Sequence, residues 1–155
     1  MSQIIPLLTF EEGYKEKPYI DTLGFPTVAC GIKIGPVGAS LANYTFTVPR
    51  VVGDAWLQSF VTNTINQCRG NALIYAALQK CNPARQDILY SMAYQMGISG
   101  LAAFKNTLSM IASENFSGAA NGMLQSKWAT QTPKRASRHA EVMRTGSYDI
   151  YKGII

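Results

Sequence analysis

Glu12, Asp21 and Thr27 make up a minimal set of groups for hydrolysing a glycosidic bond without a covalent intermediate. One carboxylic acid protonates the departing sugar oxygen. A carboxylate and a hydroxyl then hold and activate a water on the opposite side, which requires the two carboxyl groups to stand roughly 6.5–9.5 Å apart. Other chemistries find less support in the chain. His139 is the sole histidine and has no Cys, Asp or Glu around it at metal-ligand spacing, so it reads as an exposed helical residue. Neither a Ser/His/Asp nucleophile motif nor a phosphate-binding glycine loop is present, because Gly31 to Gly38 lacks the lysine and helix start that such a loop needs.

The local sequence gives each of the three residues a setting. Ser2 is suited to cap a short helix in which Ile4, Leu7 and Leu8 recur at helical spacing, with Pro6 tolerated in the first turn. Gly13 fits the left-handed position just past the end, so Glu12 falls at the negative end of the helix dipole, a setting suited to a general acid. Tyr14 to Ile20 reads as an edge strand containing Pro18, and Phe25 to Cys30 as its return, with turn chemistry at Asp21, Thr22 and Gly24. A hairpin centred near Gly24 places Asp21 directly opposite Thr27, with Cβ atoms roughly 4.5–5.5 Å apart.

These residues resemble a known family. Phe10-Glu11-Glu12-Gly13 and Tyr19-Ile20-Asp21-Thr22-Leu23-Gly24-Phe25-Pro26-Thr27 are similar to the N-terminal signature of the bacteriophage lysozymes, the T-even-type endolysins of glycoside hydrolase family 24. The C-terminal half agrees in order through Tyr94-Gln95-Met96-Gly97-Ile98-Ser99-Gly100, Phe104 and Asn106. It continues through Ser126-Lys127-Trp128, Gln131-Thr132-Pro133-Lys134-Arg135, Arg138 and Arg144 to Tyr151, leaving a weaker stretch from about Ile32 to Arg50. The resemblance implies an α+β lysozyme-like fold, with a small N-terminal β-hairpin lobe and a larger all-helical C-terminal lobe joined by a long helix. In this single domain of residues 1–155, the hairpin lobe covers about 13–53, the bridging helix 54–69, and the helical lobe 70–155 together with 1–12.

By that likeness the chain is a muramidase that cleaves between N-acetylmuramic acid and N-acetylglucosamine in bacterial peptidoglycan, with inversion. Glu12 is then the general acid, Asp21 and Thr27 position the water, and no metal or cofactor is implied. Gln95, Phe104 and Trp128 would line the substrate site, while contacts of Glu12 with Arg135 and of Glu11 with Arg138 would support it. The chain departs from the family where Ala29 and Ile32 stand in place of its usual glycine and histidine. The first adds a side chain beside a saccharide cleft and the second removes an ion pair. Two alternatives stay open: a lytic transglycosylase acting on the same bond, for which the Asp21–Thr27 pair would be superfluous, and a non-catalytic wall-binding module of lysozyme fold.

Composition sets the outer bounds. The chain has 155 residues, 47% hydrophobic and 15% charged, enough for one sizeable core or two small lobes, and it has no 18-residue apolar run for a membrane span. No signal peptide is legible, so the expected route is from the host cytoplasm to the wall in the periplasm, through lesions made by a separate holin. A net charge of +5 favours anionic partners. The expected partner is the peptidoglycan glycan strand rather than nucleic acid, bound by a monomer. Further helices are expected from Asp54 to Cys68, from Asn82-Pro83 onward with an apolar face at Ile88, Leu89, Met92, Ala93 and Met96, near 106–111 and 116–125, and from Thr132-Pro133. On the aromatic wall, the Trp128 indole and the Gln95 amide can satisfy each other. Cys30 reads as a buried strand residue, whereas Cys68 and Cys81 could be joined in a bridge worth roughly 3 kcal/mol.

Overall fold

The computed structural model describes all residues from Met1 to Ile155. It is an α+β structure in which a three-stranded antiparallel sheet near the N-terminus accompanies eight helices. Two compact units divide the chain, Ile5–Phe60 in one and Met1–Ile4 with Val61–Ile155 in the other.

The first unit begins with α1 (Ile4–Glu12), which ends where Gly13 turns left-handed at φ 67° and its amide returns to the Thr9 carbonyl. Strands β1 (Lys15–Ile20), β2 (Pro26–Ala29) and β3 (Ile32–Lys33) follow in spatial order β1-β2-β3. Pro18 lies on the edge strand, where its missing amide hydrogen costs no ladder bond, and the β1–β2 register slips between Lys15 and Tyr19. Val28, Ala29, Ile32 and Val48 form the core of this unit, with Tyr14, Ile34 and Trp56 packed against it. Tyr14 fastens the long return loop by donating its hydroxyl to the Val48 carbonyl at 2.7 Å. Helix α1 from Ile5 onward groups with the sheet rather than with residues 70–155. Its Leu8 carbonyl accepts the Cys30 thiol at 3.5 Å, and the Glu12 side chain lies on Gly31.

The long helix α2 (Arg50–Arg69) contributes to both units, and the boundary falls at Phe60–Val61. The second unit continues through α3 (Ala72–Leu78), α4 (Pro83–Ala102), α5 (Lys105–Ala112), α6 (Phe116–Leu124), α7 (Lys127–Gln131) and α8 (Pro133–Thr145). Asn82 caps α4 by accepting the Arg85 amide, with Pro83 in the first turn, as the Asn-Pro pair predicts. The helix breaks at Gly97, whose φ of 81° only glycine adopts readily. Of the expected apolar face, Ile88, Leu89, Met92 and Ala93 are buried, as are Leu101, Leu108, Ile111, Met123, Val142 and Met143, whereas Met96, just before the break, is half-buried. Asp87 in α4 gathers the Ser2 hydroxyl at 2.7 Å, the Gln3 amide at 2.6 Å and the Tyr148 hydroxyl.

Several local expectations are corrected. Asp21 does not face Thr27; the ladder pairs Tyr19 with Thr27 and Ile20 with Pro26. Asp21 closes the turn instead, its Oδ1 accepting the Leu23 and Phe25 amides at 2.9 and 2.8 Å, which recentres the hairpin on Leu23. Helix α8 does start at Thr132-Pro133 as expected, but Thr132 makes no side-chain cap, because its hydroxyl donates backwards to the Trp128 carbonyl at 3.0 Å. His139 is fully buried rather than exposed. Cys30 sits in the turn after β2, and all three cysteines are free and buried. Burial pushes the Cys68 and Cys81 thiols up to about 12, so neither is a thiolate.

Candidate functional site

In the sheet unit, the end of α1 and the hairpin place Glu12, Asp21 and Thr27 around one residue, Tyr19. The ladder sets Tyr19 directly across from Thr27. The Tyr19 phenol is raised above its ordinary value by burial first, then by the negative charges of Glu12 and Asp21. Both carboxyl groups therefore act on the same hydroxyl, from the helix end on one hand and from the turn on the other.

Each of the three is held differently. A Cβ built on Gly31 would fall 2.5 Å from Glu12 Oε2 and 3.1 Å from its Cδ, so the glutamate side chain rests on a glycine with no room for a methyl group. Gly31 is also left-handed, at φ 69°. Asp21 commits Oδ1 to two turn amides, which fixes the carboxylate plane, while Oδ2 keeps its capacity as an acceptor. Thr27, only 2% exposed, donates its hydroxyl hydrogen to the Phe25 carbonyl at 2.9 Å, so its oxygen retains lone pairs for a third party. Asp21 and Thr27 are diagonal neighbours across the ladder, a separation of roughly 7–8 Å at the backbone that a water can span. Ala29, where the family-like pattern reads glycine, is buried and left-handed at φ 55°, so the position retains the glycine-like backbone at the cost of strain.

The helical unit gathers its own set. Trp128 Nε1 donates to Gln95 Oε1 at 2.9 Å, pairing the two as their polarity demands, and Phe104 meets the indole edge-on with centroids 6.3 Å apart. Ser126 positions this cluster by capping α7 through the Ala129 amide. Behind it the Trp128 ring lies 5.9 Å from the His139 ring. His139 shares hydrogen bonds with Ser91 Oγ through Nε2 at 2.7 Å and with the Tyr151 hydroxyl through Nδ1 at 2.9 Å. A neutral imidazole satisfies both with one N–H and one lone pair. Burial, reinforced by the charges of Arg135 and Arg138, holds it well below the usual histidine range. Arg135, buried in α8, donates Nη2 to Ser91 Oγ at 2.9 Å.

The Ser91–His139–Tyr151 chain was not foreseen, though a signal for it exists. Ala136, His139, Ala140 and Met143 recur at helical spacing, and all four are buried, so the histidine falls on the apolar stripe of α8. Glu11 is half-buried near the end of α1 and Arg138 half-buried on α8.

Comparison with known proteins adds a second kind of observation. No family model matches the chain. It is 27% identical over 169 residues to "Probable T4-type lysozyme 2" of Dictyostelium discoideum, covering 98% of this chain and 99% of that protein. It is 25% identical, with the same coverage, to "Probable T4-type lysozyme 1" of the same organism. Over 161 residues it is also 25% identical to the "Pre-baseplate central spike protein Gp5" of Enterobacteria phage T4, where 94% of this chain matches 28% of the larger protein.

Proposed function

We propose, from the premise that this chain is related to the T4-type lysozymes along nearly its whole length, that it is a glycosidase of bacterial peptidoglycan. It hydrolyses the β-1,4 bond between N-acetylmuramic acid and N-acetylglucosamine with inversion. The observation that carries this reading is the seating of Glu12 on Gly31 in the same unit as the hairpin whose turn fixes Asp21, two residues from the direct ladder partner of Thr27.

Glu12, seated on Gly31, gives its proton to the leaving glycosidic oxygen. The attacking water donates one hydrogen to Asp21 Oδ2 and the other to Thr27 Oγ, whose own hydrogen is spent on Phe25. Two acceptors on the water aim its lone pair at the anomeric carbon, and Asp21 takes the water's proton as the new bond forms. Solvent then returns that proton to Glu12. The Gln95–Trp128 pair with Phe104 offers an aromatic wall for sugar faces. The protein works as a monomer on glycan strands, without a metal or cofactor, reaching the periplasmic wall from the host cytoplasm through a separate holin.

Digestion of purified peptidoglycan followed by mass analysis of the muropeptides tests this. Reducing muramic ends from the native protein, and none from Glu12→Gln with an unchanged circular dichroism spectrum, are expected. Anhydromuramic ends would identify a transglycosylase, and the absence of soluble fragments a wall-binding module; either result overturns the hydrolase.

A further inference from the structure

Lys33 lies outside the triad, yet the sheet delivers it to the same place. The ladder pairs Tyr19 with Thr27 and Thr27 with Lys33, so these three side chains form one row on one face of the sheet. Neighbouring strands lie about 4.8 Å apart, which puts the lysine backbone one strand spacing from Thr27. Its ammonium stands over the Phe25 ring, 3.9 Å from the centroid, and Phe25 is the residue whose amide binds Asp21. The lysine thus leans along the face toward the turn that Asp21 closes.

An aromatic ring orients and partly desolvates a cation without cancelling its charge. Arg50 is paired with Asp54 at 3.0 Å and Arg144 with Glu141, whereas Lys15 stands over the Tyr19 ring of the same row. Lys33 is matched by a ring, so its charge stays available to an incoming anion.

We propose that Lys33 is a specificity-determining residue which binds a carboxylate on the lactyl-peptide arm of the substrate, next to the sugar attacked at Asp21 and Thr27. The inference rests on the reading of this sheet face as a peptidoglycan hydrolase site. Glycan strands carry such carboxylates on the stem peptide, or on the lactyl group once the peptide is removed. An uncharged chitin-like strand carries none. A preoriented ammonium on the catalytic face therefore selects muramyl glycan from plain amino-sugar polymer.

The test measures initial cleavage rates on purified peptidoglycan free of secondary polymers, in three forms: intact, with carboxyl groups amidated, and stripped of peptide. The native protein should cleave the intact form roughly five-fold faster than the amidated one, the size expected for a single partly exposed charge pair. Lys33→Met, which keeps an apolar stem over Phe25, should lose that preference by slowing on the intact form and not on the amidated one, and Lys33→Arg should restore it. Lys152→Met, which removes the same charge from an exposed position elsewhere, should leave it intact. Activity on the stripped form that depends on Lys33 assigns the lactyl carboxylate, and independence there assigns the peptide. A preference that survives in Lys33→Met, or an equal loss on all three forms, overturns the proposal, the latter making Lys33 a support for Asp21. If the native protein cleaves none of the three, it is the hydrolase reading that fails.

Discussion

Replacing Gly31 by alanine separates the geometry of the acid from the stability of the fold. Two effects follow from that one methyl group. The first is backbone strain, because φ is 69° and an L-residue in the left-handed region costs about 1–2 kcal/mol. The second is contact: the new Cβ would stand 2.5 Å from Glu12 Oε2, so the carboxylate has to move by about 1 Å before ordinary van der Waals separation returns. The displaced atom is the far end of a flexible side chain and Glu12 Cβ, at 3.3 Å, is only slightly tight, so most of the clash is relieved by rotation of the carboxylate. Its effect falls on catalysis, where a misplacement of about 1 Å costs on the order of 100-fold, close to 2.7 kcal/mol of barrier.

Gly38 supplies the control, since it too is left-handed, at φ 83°, but an added Cβ meets nothing within 4 Å. Both variants should melt a few degrees below the native protein, about 2–4 °C per kcal/mol for a chain of this size. Only Gly31→Ala should lose dye release from labelled sacculi by roughly two orders of magnitude, at a temperature where both variants remain folded. Equal activities in the two alanine variants would refute the argument that the glycine seats the acid.

Two further outcomes concern the helical unit. His139 holds its proton less readily in the folded protein than at the ordinary 6.5, so the unfolded chain protonates first as pH falls. Its contribution is complete above 6.5 and declines by up to about 1.4 kcal/mol per pH unit below that, until the folded imidazole itself titrates. Urea unfolding between pH 7.5 and 5 should show this slope, and His139→Gln should flatten it. Ser91→Ala should destabilise by about 2–3 kcal/mol, because the hydroxyl shared by Arg135 and His139 is fully buried and both partners lose a hydrogen bond. A chemical-denaturation midpoint within error of the native protein would contradict that accounting.

What could be read in the chain depended on whether the signal was local. The end of α1 at Glu12, the start of α4 at Asn82-Pro83 and the apolar face of α4 each follow from a few adjacent residues, and each is found where those residues put it. The hairpin register differs from expectation by two residues, Thr27 facing Tyr19 in place of Asp21, because Asp21 spends its carboxylate on the turn amides, a choice that residue spacing does not display. Burial of His139 depends on Ser91 and Tyr151, which lie 48 and 12 residues away in the chain. The short strand β3, two residues long, owes its existence to pairing with β2 and carries little pattern of its own.

The clasp on Asp87 bears on the order in which the molecule assembles during translation. Its donors come from Ser2, Gln3 and Tyr148, so the helical unit is discontinuous in sequence and draws its first four residues across the intervening sheet unit. Residues 5–60 leave the ribosome as one uninterrupted stretch carrying the Val28–Ile32–Val48 core. The segment ahead of them gains its acceptor only with Asp87, and the set of three donors is complete only with Tyr148, a delay on the order of ten seconds at ordinary synthesis rates. The carboxylates assigned to wall cutting therefore belong to the part of the chain that is finished early, while closure of the rest is timed by an aromatic residue decoded near the end.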